Sequence, residues 1–426
     1  MNCFYFKNND LYCEDTSLRR LVEKWGTPLY LYSHQTLCRH FEVFNSAFER
    51  FPHLVCFSVK ANSNLALLKI FITQGGGADV VSGGELFRVL KAGIDPKKVV
   101  YSGVGKTEEE IRFALKAGIL MFNLESSEEL RVINEQAKAL HTKAPISIRV
   151  NPDIDPKTHP YISTGLKKNK FGIDLHRALG EYRFARSLEH IEVIGVDCHI
   201  GSQITETGPF VEALRKVKTL ISELKHEGIA VKYLDLGGGL GITYAEEVPP
   251  HPNDYAEAIL NELQGYDLTL ILEPGRVIVG NAGVLVTKVL YTKATPEKNF
   301  VIVDAGMNDL IRPSLYNAYQ AVVPISKTTE ERYAADIVGP ICESGDFLAR
   351  DRTIAKVHRG DFLAVMSAGA YGFAMSSNYN SRPRPAEVLV AGKDSFLIRK
   401  RESLEDLIRG ETIPDFLSQC FPSRSR

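Results

Sequence analysis

The chain has 426 residues, 44% of them hydrophobic, and a formal net charge of -1. That length exceeds the usual single core, so two domains, or one large barrel with an appendage, are expected. The near-neutral charge speaks against nucleic acid, a polyanion or a charged membrane surface as partner and favours small molecules, while seven cysteines without CxxC spacing argue against a disulfide framework or a structural zinc site.

The N-terminal run MNCFYFKNND lacks a basic segment followed by a long apolar one, and no stretch of about eighteen apolar residues follows it, so the expected location is the cytoplasm. Residues 1–27 hold no complete structural unit and are expected to join a later domain. From about residue 55 to 276, short β-rich runs alternate with longer amphipathic stretches. The runs begin near Val55 (VCFSVK), Ala78 (ADVVS), Val99 (VVYSG), Leu120 (LMFNLE), Ile146 (ISIRV), Val193 (VIGVDCHI), Tyr233 (YLDLGGG) and Leu268 (LTLILEPGR). About eight such units predict a (β/α)8 barrel, placed over residues 28–277.

Between the runs, Thr107 with Glu110 and Ser126 with Glu129 have capping-box spacing, and KAG recurs at Lys91–Gly93 and Lys116–Gly118, where glycine suits a left-handed helix cap. The connection from Pro152 to Asp174 is long enough to suggest a functional loop. After Arg276 the pattern changes to β-rich runs such as GVLVTKVLY, FVIVDAG and AEVLVAG without long helices. A sandwich- or barrel-like β domain over 278–426, joined by 1–27, is expected, with a disordered FPSRSR tail.

Chemistry in such barrels gathers where strands end, and these runs end on polar residues: Lys60, Ser82 with Gly83, Glu125, Arg149 with Asn151, His199, Gly237–Gly239 and Glu273. Each has a plainer explanation. Lys60 could snorkel to solvent, GGGLG could be a tight turn, EPGR (Glu273, Pro274, Gly275, Arg276) could form an idle rim salt bridge, and His199 could be structural. Together, however, an amine, a glycine-rich cradle, a flat ring and a carboxylate are what pyridoxal phosphate requires.

SVKAN around Lys60, ADVVSGGEL, STGLKKNKFGI from Ser163, CHIGSQI, GGGLG and EPGR resemble, in order, the signatures of the fold-type III pyridoxal-phosphate decarboxylases. The likeness is strongest to their diaminopimelate-decarboxylating branch, and RPSLY, GPICESGD and GAYG extend it through the C-terminal region. The resemblance implies pyridoxal 5'-phosphate as cofactor, Lys60 as its aldimine lysine, His199 stacked on its ring and Glu273 at its pyridine nitrogen. Gly238, Gly239, Ser202 and the turn Pro274–Arg276 would meet its phosphate. It further implies a substrate set of Arg276, Arg312 and Tyr316, Glu343 at the distal amino group, and Tyr371 touching both cofactor and substrate. Cys342, supplied by the neighbouring subunit of a homodimer with shared active sites, would be the proton donor, or Lys60 acting with it. The implied reaction, the last step of lysine biosynthesis, converts meso-2,6-diaminopimelate to L-lysine and CO2. A decarboxylase of ornithine, arginine or carboxynorspermidine, an amino-acid racemase and a non-catalytic relative are the alternatives.

Overall fold

The computed structural model describes residues 2–154, 170–327 and 331–418. Eight parallel strands, β1 (His53–Ser58), β2 (Gly77–Val80), β3 (Val99–Tyr101), β4 (Met121–Leu124), β5 (Ala144–Asn151), β6 (Ile191–Asp197), β7 (Tyr233–Asp235) and β8 (Thr269–Leu272), pair in chain order. β8 returns to pair with β1, with Leu272 opposite Val55, and the sheet closes. The expected (β/α)8 barrel is present. Its outer ring includes helices Leu65–Thr73, Gly83–Lys91 and Glu108–Ala117, and the helix His34–Ser46, ahead of β1, packs between the helices Leu65–Thr73 and Pro252–Glu262.

Local chemistry accounts for these elements. The helix Glu108–Ala117 starts at a complete Thr107–Glu110 capping box, buries Ile111 and Ala114, and stops at Gly118 in the left-handed conformation. Complete burial of Ile111 contributes roughly 2 kcal/mol. The second box forms only in half. Ser126 accepts the Glu129 N–H, but the Glu129 carboxylate turns to the Glu125 N–H (2.8 Å) and to the Lys106 ammonium (2.6 Å).

The second sheet is organised by the long strand Gly283–Ala294, which pairs with Asn299–Val303, Phe362–Val365 and Leu29–Ser33. The last of these corrects the expected boundary at residue 28. Leu29–Ser33 is not a barrel element but is also hydrogen bonded to Ala386–Ala391, so the chain enters the barrel only after it. Phe4, Leu11, Leu18 and Leu21 pack with Leu29, Val284, Val286 and Val388, which ties the N-terminal segment to this sheet through apolar burial. Most of the Pro152–Asp174 connection, the greater part of STGLKKNKFGI and the FPSRSR tail lie outside the described residues. Among the described residues, no helix is long and apolar enough to cross a membrane.

Candidate active site

β1 ends at Ser58 and the chain tightens into a 3-10 turn, Val59–Ala61, that carries Lys60. Its Nζ lies 2.5 Å from Oδ2 of Asp79, a fully buried residue of β2 whose same oxygen accepts the Ser58 hydroxyl at 3.0 Å. Burial disfavours the ammonium, but Asp79 and Glu273 outweigh it and hold the amine well above its ordinary range. The lysine side chain is 37% exposed and lines a cavity of about 410 Å³, so its head group is anchored inside the site rather than snorkelling to bulk water.

Beneath it, the barrel interior is acidic. Glu273, at the end of β8, accepts from Ser102 Oγ (3.3 Å) and Asn123 Nδ2 (3.4 Å), and the same Nδ2 lies 3.0 Å from Asp235 Oδ2. The Ser147 hydroxyl donates to Asn123 Oδ1 (2.6 Å), which turns the amide donors toward the two carboxyls. Burial, then Asp235 and Asp79, push Glu273 well above the carboxylate range, and burial with Asp197 pushes Asp235 up to about 7. The pair therefore retains a proton near neutrality.

His199 follows β6, and its Nδ1 accepts the Gly238 N–H at 3.2 Å. Burial and the cations Arg149 and Lys60 hold the imidazole well below its usual pKa, so it is neutral. The glycines allow this approach: a Cβ on Gly237 would lie 2.5 Å from His199 Nδ1, and one on Gly238 would lie 2.2 Å from the Glu273 carbonyl oxygen. A Cβ on Gly239, at φ +120°, would lie 2.6 Å from the Gly201 carbonyl oxygen. GGGLG is thus both a tight turn and the support that orients the His199 ring.

The EPGR turn packs on the lysine turn, with Pro274 O accepting the Ser58 N–H (3.1 Å) and Gly275 beside Ala61. Arg276 donates to Tyr244 Oη (2.7 Å) and Ser202 Oγ (3.0 Å), stands 5.0 Å from the Tyr371 ring centre, and its buried Nε has no hydrogen-bond partner among the described residues. From the second sheet's side, Arg312 opens the short helix Arg312–Tyr316 and also donates to Tyr244 Oη (2.8 Å). Among the described residues neither guanidinium pairs with a carboxylate, so EPGR is no idle salt bridge. Tyr316 and Tyr371 line the same cavity, and Tyr371 sits at φ +55°, held by its N–H on Ala61 O (2.8 Å). A bulky residue in that conformation is strained and needs such support.

Cys342 and Glu343 stand apart. Both are exposed and neither lines this cavity; the Cys342 N–H donates to Asn380 Oδ1 (2.9 Å), and Glu343 accepts the Tyr379 hydroxyl (2.7 Å). Ser82 and Gly83 serve the helix start, where Ser82 accepts the Glu85 N–H and the Gly83 N–H meets Glu110. Sequence reading missed Asp79, Asn123, Asp235 and Tyr244. Asp79 and Asp235 were visible as acids inside apolar runs, an arrangement that is costly unless used; Tyr244 gave no such signal.

Residues 34–280 match the family model described as pyridoxal-dependent decarboxylase, pyridoxal binding domain. A diaminopimelate decarboxylase of Haemophilus influenzae is 54% identical over 96% of this chain and 98% of its own. The chain belongs to the diaminopimelate decarboxylase family. The crystal structure of the Helicobacter pylori diaminopimelate decarboxylase complexed with L-lysine has a TM-score of 0.89 at 47% identity, covering 92% of this chain and 98% of its own. The one from M. jannaschii in co-complex with L-lysine has a TM-score of 0.93 at 43% identity over 97% and 98%. As a member of this family the protein is a decarboxylase dependent on pyridoxal phosphate, and its cavity fits that group. An amine lies between an acidic interior at Glu273 and a cationic, hydroxyl-bearing rim at Arg276 and Ser202, where the Arg276 Nε is buried with no partner among the described residues. A ring nitrogen suits the first pole and a phosphate the second.

Proposed function

We propose that the protein decarboxylates meso-2,6-diaminopimelate to L-lysine in the cytoplasm, as the last step of lysine biosynthesis. The observation that carries this reading is the pair of buried guanidiniums, Arg276 and Arg312, converging on the cavity of Lys60 with no carboxylate partner among the described residues. A substrate that keeps a second carboxylate after losing the first supplies what they lack.

When bound, pyridoxal phosphate supplies the electron sink that accepts the pair left as CO2 departs. The chain's own residues do the rest. Lys60 would hold the cofactor covalently and Asp79 positions its amine; Glu273 would keep the ring nitrogen protonated; neutral His199 would stack on the ring. Ser202, Gly238, Gly239 and the turn Pro274–Arg276 would meet the phosphate. The Gly238 amide already serves His199, which leaves its backbone as wall more than as donor. Arg276, Arg312, Tyr316 and Tyr371 would grip the substrate.

Cys342 would return a proton from Sγ to the carbon that lost CO2, and Glu343 would meet the distal ammonium. Because both are exposed and outside their own cavity, we infer that they serve the partner's site in a homodimer. The same reading divides the chain into a cofactor-binding barrel and a β-rich unit that supplies Arg312, Tyr316, Cys342, Glu343 and Tyr371. The test is CO2 release by purified protein from meso-diaminopimelate, ornithine and arginine. Turnover of diaminopimelate alone, abolished in Lys60→Ala together with the near-visible cofactor absorbance, is expected; preference for ornithine or arginine would overturn the assignment.

A further inference from the structure

Tyr244 has no part in the reading above, yet its hydroxyl is where the two arginines meet. Arg276 Nη1 lies 2.7 Å and Arg312 Nη1 2.8 Å from Oη. Both guanidiniums also stand beside its ring, 5.8 and 4.8 Å from the centre. A phenol oxygen has two lone pairs, so these two donors fill its accepting capacity and leave the O–H proton as its remaining hydrogen-bonding group. The residue is 9% exposed and lines the cavity with Lys60, Arg312 and Tyr316.

The loop that presents it is braced from both ends. Glu247 accepts the N–H of Tyr244 (2.9 Å) and of Ala245 (2.7 Å), while Gln203 grips Ile242 through its carbonyl (2.6 Å) and its N–H (3.1 Å). Tyr244 is therefore a fixed post between two like charges that would otherwise repel.

Resting on the diaminopimelate reading, we propose that Tyr244 is a substrate-positioning residue. Its hydroxyl locks Arg276 and Arg312 into one receptor and donates the third hydrogen bond to the carboxylate that the product L-lysine retains. The receptor reads the distal end of the substrate, which does not change during the reaction, so its effect falls on binding more than on turnover.

The experiment compares wild-type, Tyr244→Phe and Glu247→Gln holoenzymes. L-lysine affinity is measured by calorimetry, KM and kcat with meso-diaminopimelate, and cofactor affinity on the stripped protein. Tyr244→Phe removes only the hydroxyl, and the loss of hydrogen bonds to charged groups is expected to weaken lysine binding and raise KM by about tenfold or more. kcat should stay within about threefold and cofactor affinity should hold. Glu247→Gln, which loosens the loop, should shift the same two quantities in the same direction by less. Unchanged lysine affinity in Tyr244→Phe, or a fall of kcat and cofactor affinity in step with it, would overturn the proposal. If wild-type protein binds no lysine and turns over no diaminopimelate, the functional reading itself fails and takes the Tyr244 role with it.

Discussion

Asp79 occupies the middle of a strand whose neighbours are small or branched, and Lys60 depends on it. At an effective dielectric near 20, charges this close attract by several kcal/mol, and about 1.4 kcal/mol is one pKa unit. Because the lysine side chain is 37% exposed, solvent screens part of this, and Asp79→Asn is expected to lower the ammonium pKa by about one to two units. Amine-selective labelling of Lys60 across pH in cofactor-stripped protein measures it; an unmoved labelling midpoint would remove Asp79 from that role. Lys60, Glu273, His199 and Arg276 were legible in the sequence because each ends an apolar run, where a polar side chain is conspicuous. Asn123 and Tyr244 were not, since the meaning of their side chains lies in partners more than 20 residues distant in sequence, Asp235 and Arg312 among them.

At the scale of elements, the turn bearing Lys60 is fastened to the second sheet. Asn62 donates to Gly369 O (3.1 Å), and Asn64, which caps the following helix, donates to the fully buried Glu387 (2.8 Å). Tyr32 also donates to Glu387 (2.8 Å), and Arg399 is ion-paired with it. Removing a carboxylate with so many partners strands a guanidinium and two polar donors, so Glu387→Ala is expected to destabilise the fold by about 3–5 kcal/mol. Urea unfolding reads this directly, and a shift under about 1 kcal/mol would show that the joint bears little of the fold's stability. The eight barrel strands were readable from apolar runs and turn residues. Leu29–Ser33 was misassigned for a physical reason: LYLYS looks like any buried strand, and its partners, Gly283–Ala294 and Ala386–Ala391, come some 250 residues or more later. The half-formed second capping box failed because Glu129 met Lys106, a competitor that helix spacing cannot show.

For the whole molecule, the barrel interior carries more acid than base: Asp79, Glu125, Asp197, Asp235 and Glu273 face Lys60 and Arg149. Burial is the leading cause that pushes Asp235, Asp309 and Glu85 up to about 7. Groups raised in this way favour the fold fully below the ordinary carboxylate range, and that contribution is lost as pH rises through about 7. Cofactor-free protein is therefore expected to lose stability from about pH 5 to 7, by up to roughly 1.4 kcal/mol per pH unit per group. Thermal melts at pH 5.5, 7 and 8 test this, and Asp235→Asn should flatten the slope; a Tm that rises across the window would contradict it. The proposed sharing of sites between subunits makes a separate demand. Lys60→Ala and Cys342→Ala subunits, each inactive, should recover part of the activity when mixed as verified heterodimers, whereas no recovery would place Cys342 outside the partner's site. The identity of the substrate is decided by product analysis with the three diaminopimelate stereoisomers. Formation of CO2 and L-lysine from the meso form and none from the LL form, which lacks a D-configured centre, is the expected result. CO2 from the LL form, or no lysine from the meso form with cofactor bound, would contradict it.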